Sequence, residues 1–109
     1  MKIYGLKNCN KCRDARVELI KNGFSVDFVD VRETPFDVVD LDRLISNFGD
    51  DLINKRSTTW RGAKLSDRNL SVIELLQLLP AVMKRPVIDT GALYLGWSEE
   101  IMIKILNTR

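Results

Sequence analysis

Histidine is absent from this sequence. Without it there is no Ser-His-Asp triad, no Cys-His protease pair, no His-bearing zinc site and no His-ligated haem. Cysteine is scarce: the two present are too few for an all-thiolate zinc site or an iron–sulfur cluster within one chain. Charge of one sign is also lacking. Lys plus Arg number 17 against 15 Asp plus Glu, a net +2 that gives no reason to expect direct nucleic-acid binding. No apolar run approaches the roughly 20 residues of a membrane span, so no membrane partner is expected. The start, Met1 to Lys7, has neither an apolar h-region nor a small-residue cleavage site. The expected compartment is therefore cytosolic, where a close cysteine pair is more often reactive than structural.

What remains is an ordinary globular composition, 45% hydrophobic and 29% charged over 109 residues, enough for one domain spanning 1–109. Lys2 to Gly5 is a short strand candidate. Cys12, Ala15, Arg16, Leu19 and Ile20 follow at helical spacing, broken only by Arg16, and Lys21-Asn22-Gly23 ends the helix. Phe24, Val26 and Phe28 then alternate with polar residues as a strand would. This is a βαβ unit. A helical insertion is expected over about 35–80. Thr34 is its expected cap, with Pro35 in the first position and Val38, Leu41, Leu44, Ile45 and Phe48 on the apolar face. A polar loop is expected from Lys55 to Asn69. Ser71-Val72-Ile73-Glu74 forms a capping box for a further helix, which Pro80 stops. Pro86–Asp89 and Ala92–Leu95 predict two strands joined through Thr90-Gly91. Ser98 caps a last helix whose apolar face is Ile101, Met102, Ile105 and Leu106. The order is βαβ, helical insertion, ββα, an α/β fold.

The chemistry concentrates at Cys9-Asn10-Lys11-Cys12, between the first strand and its helix. The three-residue step puts both sulfurs on one side of the first turn, within reach of a disulfide. The helix start, together with Lys7, Lys11 and Arg13, favours a thiolate at Cys9. Cys12, one turn in, is the expected resolving thiol. A packed cysteine beside an incidental one is the plainer alternative, but it leaves the cationic C-x-x-C at a helix start unexplained. Two other segments stay open on spacing alone. Pro86 after Arg85 fits a trans proline at a strand start better than a cis one. Arg56-Ser57-Thr58-Thr59-Trp60-Arg61-Gly62 fits a solvated loop with Trp60 over the core, or a site for an oxyanion or carboxylate. The acidic positions Asp37, Asp40 and Asp42 read as a solvated helix face, so no metal is expected. Trp97 reads as packing.

With these residues in view, the chain resembles the arsenate reductase (ArsC) family of thioredoxin-like proteins, which also contains the Spx regulators. The resemblance runs from about Lys2 to Leu106. It is carried by Tyr4-Gly5-Leu6-Lys7-Asn8-Cys9, by Arg56-Ser57-Thr58-Thr59-Trp60-Arg61 and by Lys84-Arg85-Pro86. It is closest to short bacterial members described as glutathione-dependent thiol reductases. It implies a thioredoxin-like fold, a cis Pro86 facing the thiol, and a site in which Arg56, Thr59, Arg61, Arg85 and Pro86 hold substrate or glutathione beside Cys9 and Cys12. Glutathione is the implied reductant, with no bound cofactor. Arsenate reductases hold the oxyanion with three arginines. Arg85 matches one, Arg56 is a displaced candidate for the second, and Gly96 stands in place of the last. Three functions follow: a thiol–disulfide reductase using glutathione, an arsenate reductase coupled to glutaredoxin, and an Spx-like redox regulator that binds RNA polymerase.

Overall fold

The structure, a computed structural model, describes residues 1–108. These form two compact units, residues 1–30 with 85–108, and Val31–Lys84. In the first, strand β1 (Lys2–Gly5) leads into helix α1 (Asn10–Lys21) and strand β2 (Asp27–Asp30). After the second unit come β3 (Val87–Asp89), β4 (Leu93–Leu95) and helix α6 (Glu99–Asn107). The four strands make one mixed sheet in the order β2-β1-β3-β4. β1 is parallel to β2, from Lys2↔Asp27 to Gly5↔Asp30, and antiparallel to β3, from Lys2↔Asp89 to Tyr4↔Val87. β3 and β4 form the terminal antiparallel pair. This is the thioredoxin-like βαβ–ββα sheet.

Its core joins Ile3 of β1 and Ile88 of β3 to Ala15 and Leu19 of α1 and Ile105 of α6, all wholly buried. Partly buried Phe24, Val26, Phe28, Tyr94, Trp97 and Ile101 pack around it. Burial of this kind stabilises by about 25 cal/mol for each Å² removed from water.

Several expectations are corrected. β2 begins at Asp27, so Phe24 and Val26 precede the strand. Their alternation marks sides turned toward the core, but pairing starts only where β1 offers a partner, with Asp27 N–H donating to Met1 O at 2.9 Å. Ile20 is 56% exposed, at the edge of the α1 stripe rather than within it. The β3–β4 connection is three residues, Thr90 to Ala92, with Gly91 at φ 102°.

The second unit is helical. α2 spans Val38–Phe48, and buries Leu41 and Leu44 while Val38 stays exposed. Its cap is Asp37, whose Oδ1 accepts from Asp40 N–H at 2.8 Å, three residues beyond the expected Thr34. Gly49 ends it at φ 54°, and a 3₁₀ turn follows over Gly49–Leu52. The stretch expected to be loop carries two short helices, α3 (Thr58–Arg61) and α4 (Leu65–Arg68). Ser57 starts the first by accepting from Trp60 N–H at 3.1 Å, a cap hidden in an otherwise polar run. α5 (Val72–Leu78) starts at the Ser71 box: Ser71 Oγ accepts from Glu74 N–H at 3.3 Å and donates to Glu74 Oε1 at 2.7 Å. A second 3₁₀ turn covers Pro80–Val82, and Ile53 bridges to Met83. Val31, Leu41, Leu44, Leu52, Leu75, Leu76, Val82 and Met83 are this unit's buried residues.

The displaced cap is directly testable. Asp37→Ala should lower unfolding free energy by about 1 kcal/mol, and Thr34→Ala should change it by less than about 0.5 kcal/mol. Urea denaturation of the two variants checks this, and equal losses would contradict a cap at Asp37.

Candidate active site

The site grows from the carboxyl end of β1. Leu6 is buried, and its carbonyl accepts from Cys9 N–H at 3.2 Å, which turns the chain into α1. Lys7 N–H donates to the carboxylate of buried Asp30 at 2.9 Å, so the end of β2 ties down the same turn. Cys9 is the N-cap residue, in extended conformation, and its carbonyl accepts from Arg13 N–H at 3.0 Å. Its side chain is half-buried, whereas Cys12 is 1% exposed. Both cysteines are free thiols.

The two thiols differ in acidity for identifiable reasons. Burial by itself would raise Cys9, but it is outweighed. The Cys12 thiol donates a hydrogen bond to the Cys9 sulfur, the Cys12 N–H is directed at it, and the Arg85 guanidinium adds a hydrogen bond and a positive charge, so Cys9 is held below its ordinary value. The Cys9 side chain forms no ordinary capping bond, so the pull of the Cys12 N–H is an attraction of dipole for charge. Cys12 is pushed up to about 12. Burial contributes most, then the hydrogen bond it gives to Cys9 and the charge there. The Leu6 N–H, and after it the Arg85 charge, oppose this.

The cation at Cys9 therefore comes from the far end of the chain. Lys7, Lys11 and Arg13, the expected source, are exposed. The β1–β3 register explains the arrival of Arg85. One step past the Tyr4↔Val87 pair, the antiparallel pairing leads to Gly5 on one strand and Pro86 on the other. The Arg85–Pro86 peptide is cis, the conformation implied by the family resemblance. Pro86 is buried and its carbonyl accepts from Gly96 N–H at 2.7 Å. Gly96 is itself buried at φ 87°, a conformation that penalises any side chain. Arg85 Nε is buried as well.

Of the residues singled out from sequence, Cys9, Cys12, Arg85 and Pro86 lie together in the first unit. Arg56, Thr59 and Arg61 belong to the second, in and beside α3: both arginines are exposed and Thr59 is half-buried. Two features escaped the sequence reading. Asp30 was anonymous at the end of a strand. Arg68 organises the α3 segment, donating through Nε and Nη2 to Trp60 O at 3.2 and 3.1 Å and through Nη2 to Arg61 O at 2.8 Å. Its guanidinium also lies 5.4 Å from the Trp60 ring centre, and Lys55 Nζ lies at 5.7 Å. Trp60 is thus held by cations of its own unit. No cluster of potential metal ligands occurs among the described residues.

The raised Cys12 pKa links to stability. In the unfolded chain this thiol ionises near 9.0, whereas in the folded protein it keeps its proton to about 12. Between those values the unfolded state releases a proton that the folded state holds, so stability is full below pH 9 and falls as pH rises. The denaturant midpoint of the reduced protein should decline from pH 9 to 11, and Cys12→Ala should flatten that decline. Parallel curves would contradict the assignment.

This geometry can be set beside that of known proteins. The ArsC family signature matches residues 4–105. An uncharacterized protein of Haemophilus influenzae is 32% identical over 104 residues, covering 90% of this chain and 91% of its own. The global transcriptional regulator Spx of Streptococcus pneumoniae is 30% identical over 102 residues, covering 85% and 75%. Among solved structures, a protein named YFFB superposes with a TM-score of 0.85 at 27% identity, over 94% of this chain and 96% of that one. A match that starts within β1 and ends within α6 takes in the cysteine pair, the helical unit and the Arg-Pro strand alike: the chain belongs to the ArsC family.

Proposed function

We propose that this protein is a thiol–disulfide reductase that works through Cys9 and Cys12 and is returned to its dithiol form by glutathione. The observation that carries this reading is the placement of Cys9 at the start of α1, where the Cys12 thiol and Arg85 hold it below its ordinary acidity while Cys12 keeps its proton. The Cys9 thiolate attacks one sulfur of a substrate disulfide. A Cys9–substrate disulfide forms and the other sulfur leaves as a thiolate. Cys9 then carries no charge, so two of the causes that raised Cys12 disappear. Cys12 gives up its proton, attacks the Cys9 sulfur and displaces the substrate thiolate. The resulting Cys9–Cys12 disulfide is reduced by two glutathione thiols, which leave as oxidised glutathione. Two electrons pass from glutathione to substrate.

Arg85 has a defined part in this reading. Because its guanidinium bonds to the Cys9 sulfur, it supports the thiolate before any substrate arrives. Arg85→Ala should therefore slow reaction with a small uncharged disulfide as well as with a glutathionylated peptide, by about tenfold for each. Arg56, Thr59 and Arg61 are proposed to contact the carboxylates of glutathione. Arsenate turnover is expected to be much slower than disulfide reduction, since Gly96 offers no guanidinium where the resembled clamp has its last arginine.

A second reading is favoured by the 30% identity to Spx: the same pair acts as a redox switch that alters affinity for RNA polymerase, with no repeated turnover. One experiment addresses both. Cys12→Ser protein is recovered from oxidant-treated cells and analysed by mass spectrometry. The reductase reading expects glutathione or a protein thiol trapped on Cys9, and purified native protein should then turn over that disulfide many times. An unmodified Cys9, together with redox-dependent capture of RNA polymerase by the native protein, would replace it with the switch.

A further inference from the structure

Gly5 closes β1, is buried, and pairs with Asp30 across the parallel edge. Its backbone gives no reason for glycine, because its φ is not among the positive values found at Gly23, Gly49, Gly91 and Gly96. The reason is space. A Cβ built on Gly5 would overlap Cys12 Sγ, and would lie 3.3 Å from Cys12 Cβ and 3.5 Å from Phe28 Cε2. Glycine within a strand commonly marks such a close approach.

We propose that Gly5 is a positioning residue for the thiol pair: the side chain missing from β1 is the volume into which the Cys12 sulfur fits. The proposal rests on reading Cys9 as the nucleophile and Cys12 as its partner. Cys12 sits in the first turn of α1 and is 1% exposed, so its sulfur does not stand in open solvent. A helical residue also has few rotamers, since one of the three staggered positions runs into the preceding turn. A methyl group on residue 5 must therefore swing the sulfur to another rotamer or push α1 off the sheet. Either change takes the Cys12 S–H away from Cys9. The neighbouring contacts are milder: 3.3 Å to Cys12 Cβ asks for a few tenths of an ångström, and 3.5 Å to Phe28 is ordinary packing.

The consequence is specific to the sulfur, which permits a clean test. Rates of iodoacetamide alkylation at Cys9 are measured from pH 5 to 10 in four proteins: native, Gly5→Ala, Cys12→Ala and Gly5→Ala/Cys12→Ala. Gly5→Ala should move the profile to higher pH and slow alkylation at pH 6 by about tenfold, the loss expected for one unit of thiol acidity. In the Cys12→Ala background, the same change at residue 5 should leave the Cys9 profile where Cys12→Ala alone puts it. If Gly5→Ala fails to fold but the double variant folds, the conflict lies with the Cys12 sulfur and the proposal stands. It is overturned if the folded Gly5→Ala protein keeps the native profile, if Gly5→Ala shifts both backgrounds equally, or if neither Gly5→Ala protein folds. The reading of Cys9 as nucleophile is judged apart, by loss of disulfide turnover in Cys9→Ser. That variant contributes nothing to the alkylation comparison, so the two ideas fail separately.

Discussion

One proton organises this site. It sits on Cys12 and is shared toward Cys9, and nearly every local feature serves to keep it there. Cys12 is sealed against β1, which makes its ionised form costly. Cys9 is half-buried at the helix start, with the Cys12 thiol and the Arg85 guanidinium turned to it. The pair is therefore unequal before any reaction, although the two residues are chemically identical. Unequal thiols are what sequential exchange requires: one sulfur attacks, and the second waits with its proton until the first has lost its charge.

The sheet builds that asymmetry from parts distant in sequence. Parallel pairing of β1 with β2 brings Asp30 to the Lys7 amide and fixes the turn before Cys9. Antiparallel pairing of β1 with β3 brings Arg85 to the same end. A residue with no side chain on β1 leaves room for the inner sulfur. None of these contacts is strong alone. Hydrogen bonds to a charged sulfur are worth about 1.5–3 kcal/mol each, yet two or three of them outweigh the burial of Cys9.

What was legible in the sequence follows from the range of each interaction. The C-x-x-C and the caps at Ser71 and Ser98 are local, and each is where the residues place it, as is the α1 stripe apart from Ile20. Ser57 capped a helix too short to show any period, so α3 passed for loop. Thr34 and Asp37 compete for one helix start, and the winning carboxylate bond to Asp40 N–H is a matter of backbone direction that composition does not hold. The start of β2 depends on where β1 offers partners, not on the alternation of Phe24, Val26 and Phe28. The cation at Cys9 was the largest gap. Basic residues adjoin the cysteine in sequence, but the one that acts on it arrives through strand register, and only the assembled sheet reveals it.

The two thiols ionise in a fixed order, Cys9 before Cys12. Both cysteines labelled with 13C at Cβ, in the reduced native protein, give two shifts that can be followed by NMR from pH 4 to 11. The Cys9 signal should move first, with its midpoint below the ordinary thiol value of 9.0, while the Cys12 signal stays unmoved to the end of the range. A Cys12 signal that moves first, or two signals that move together near 9.0, would contradict it.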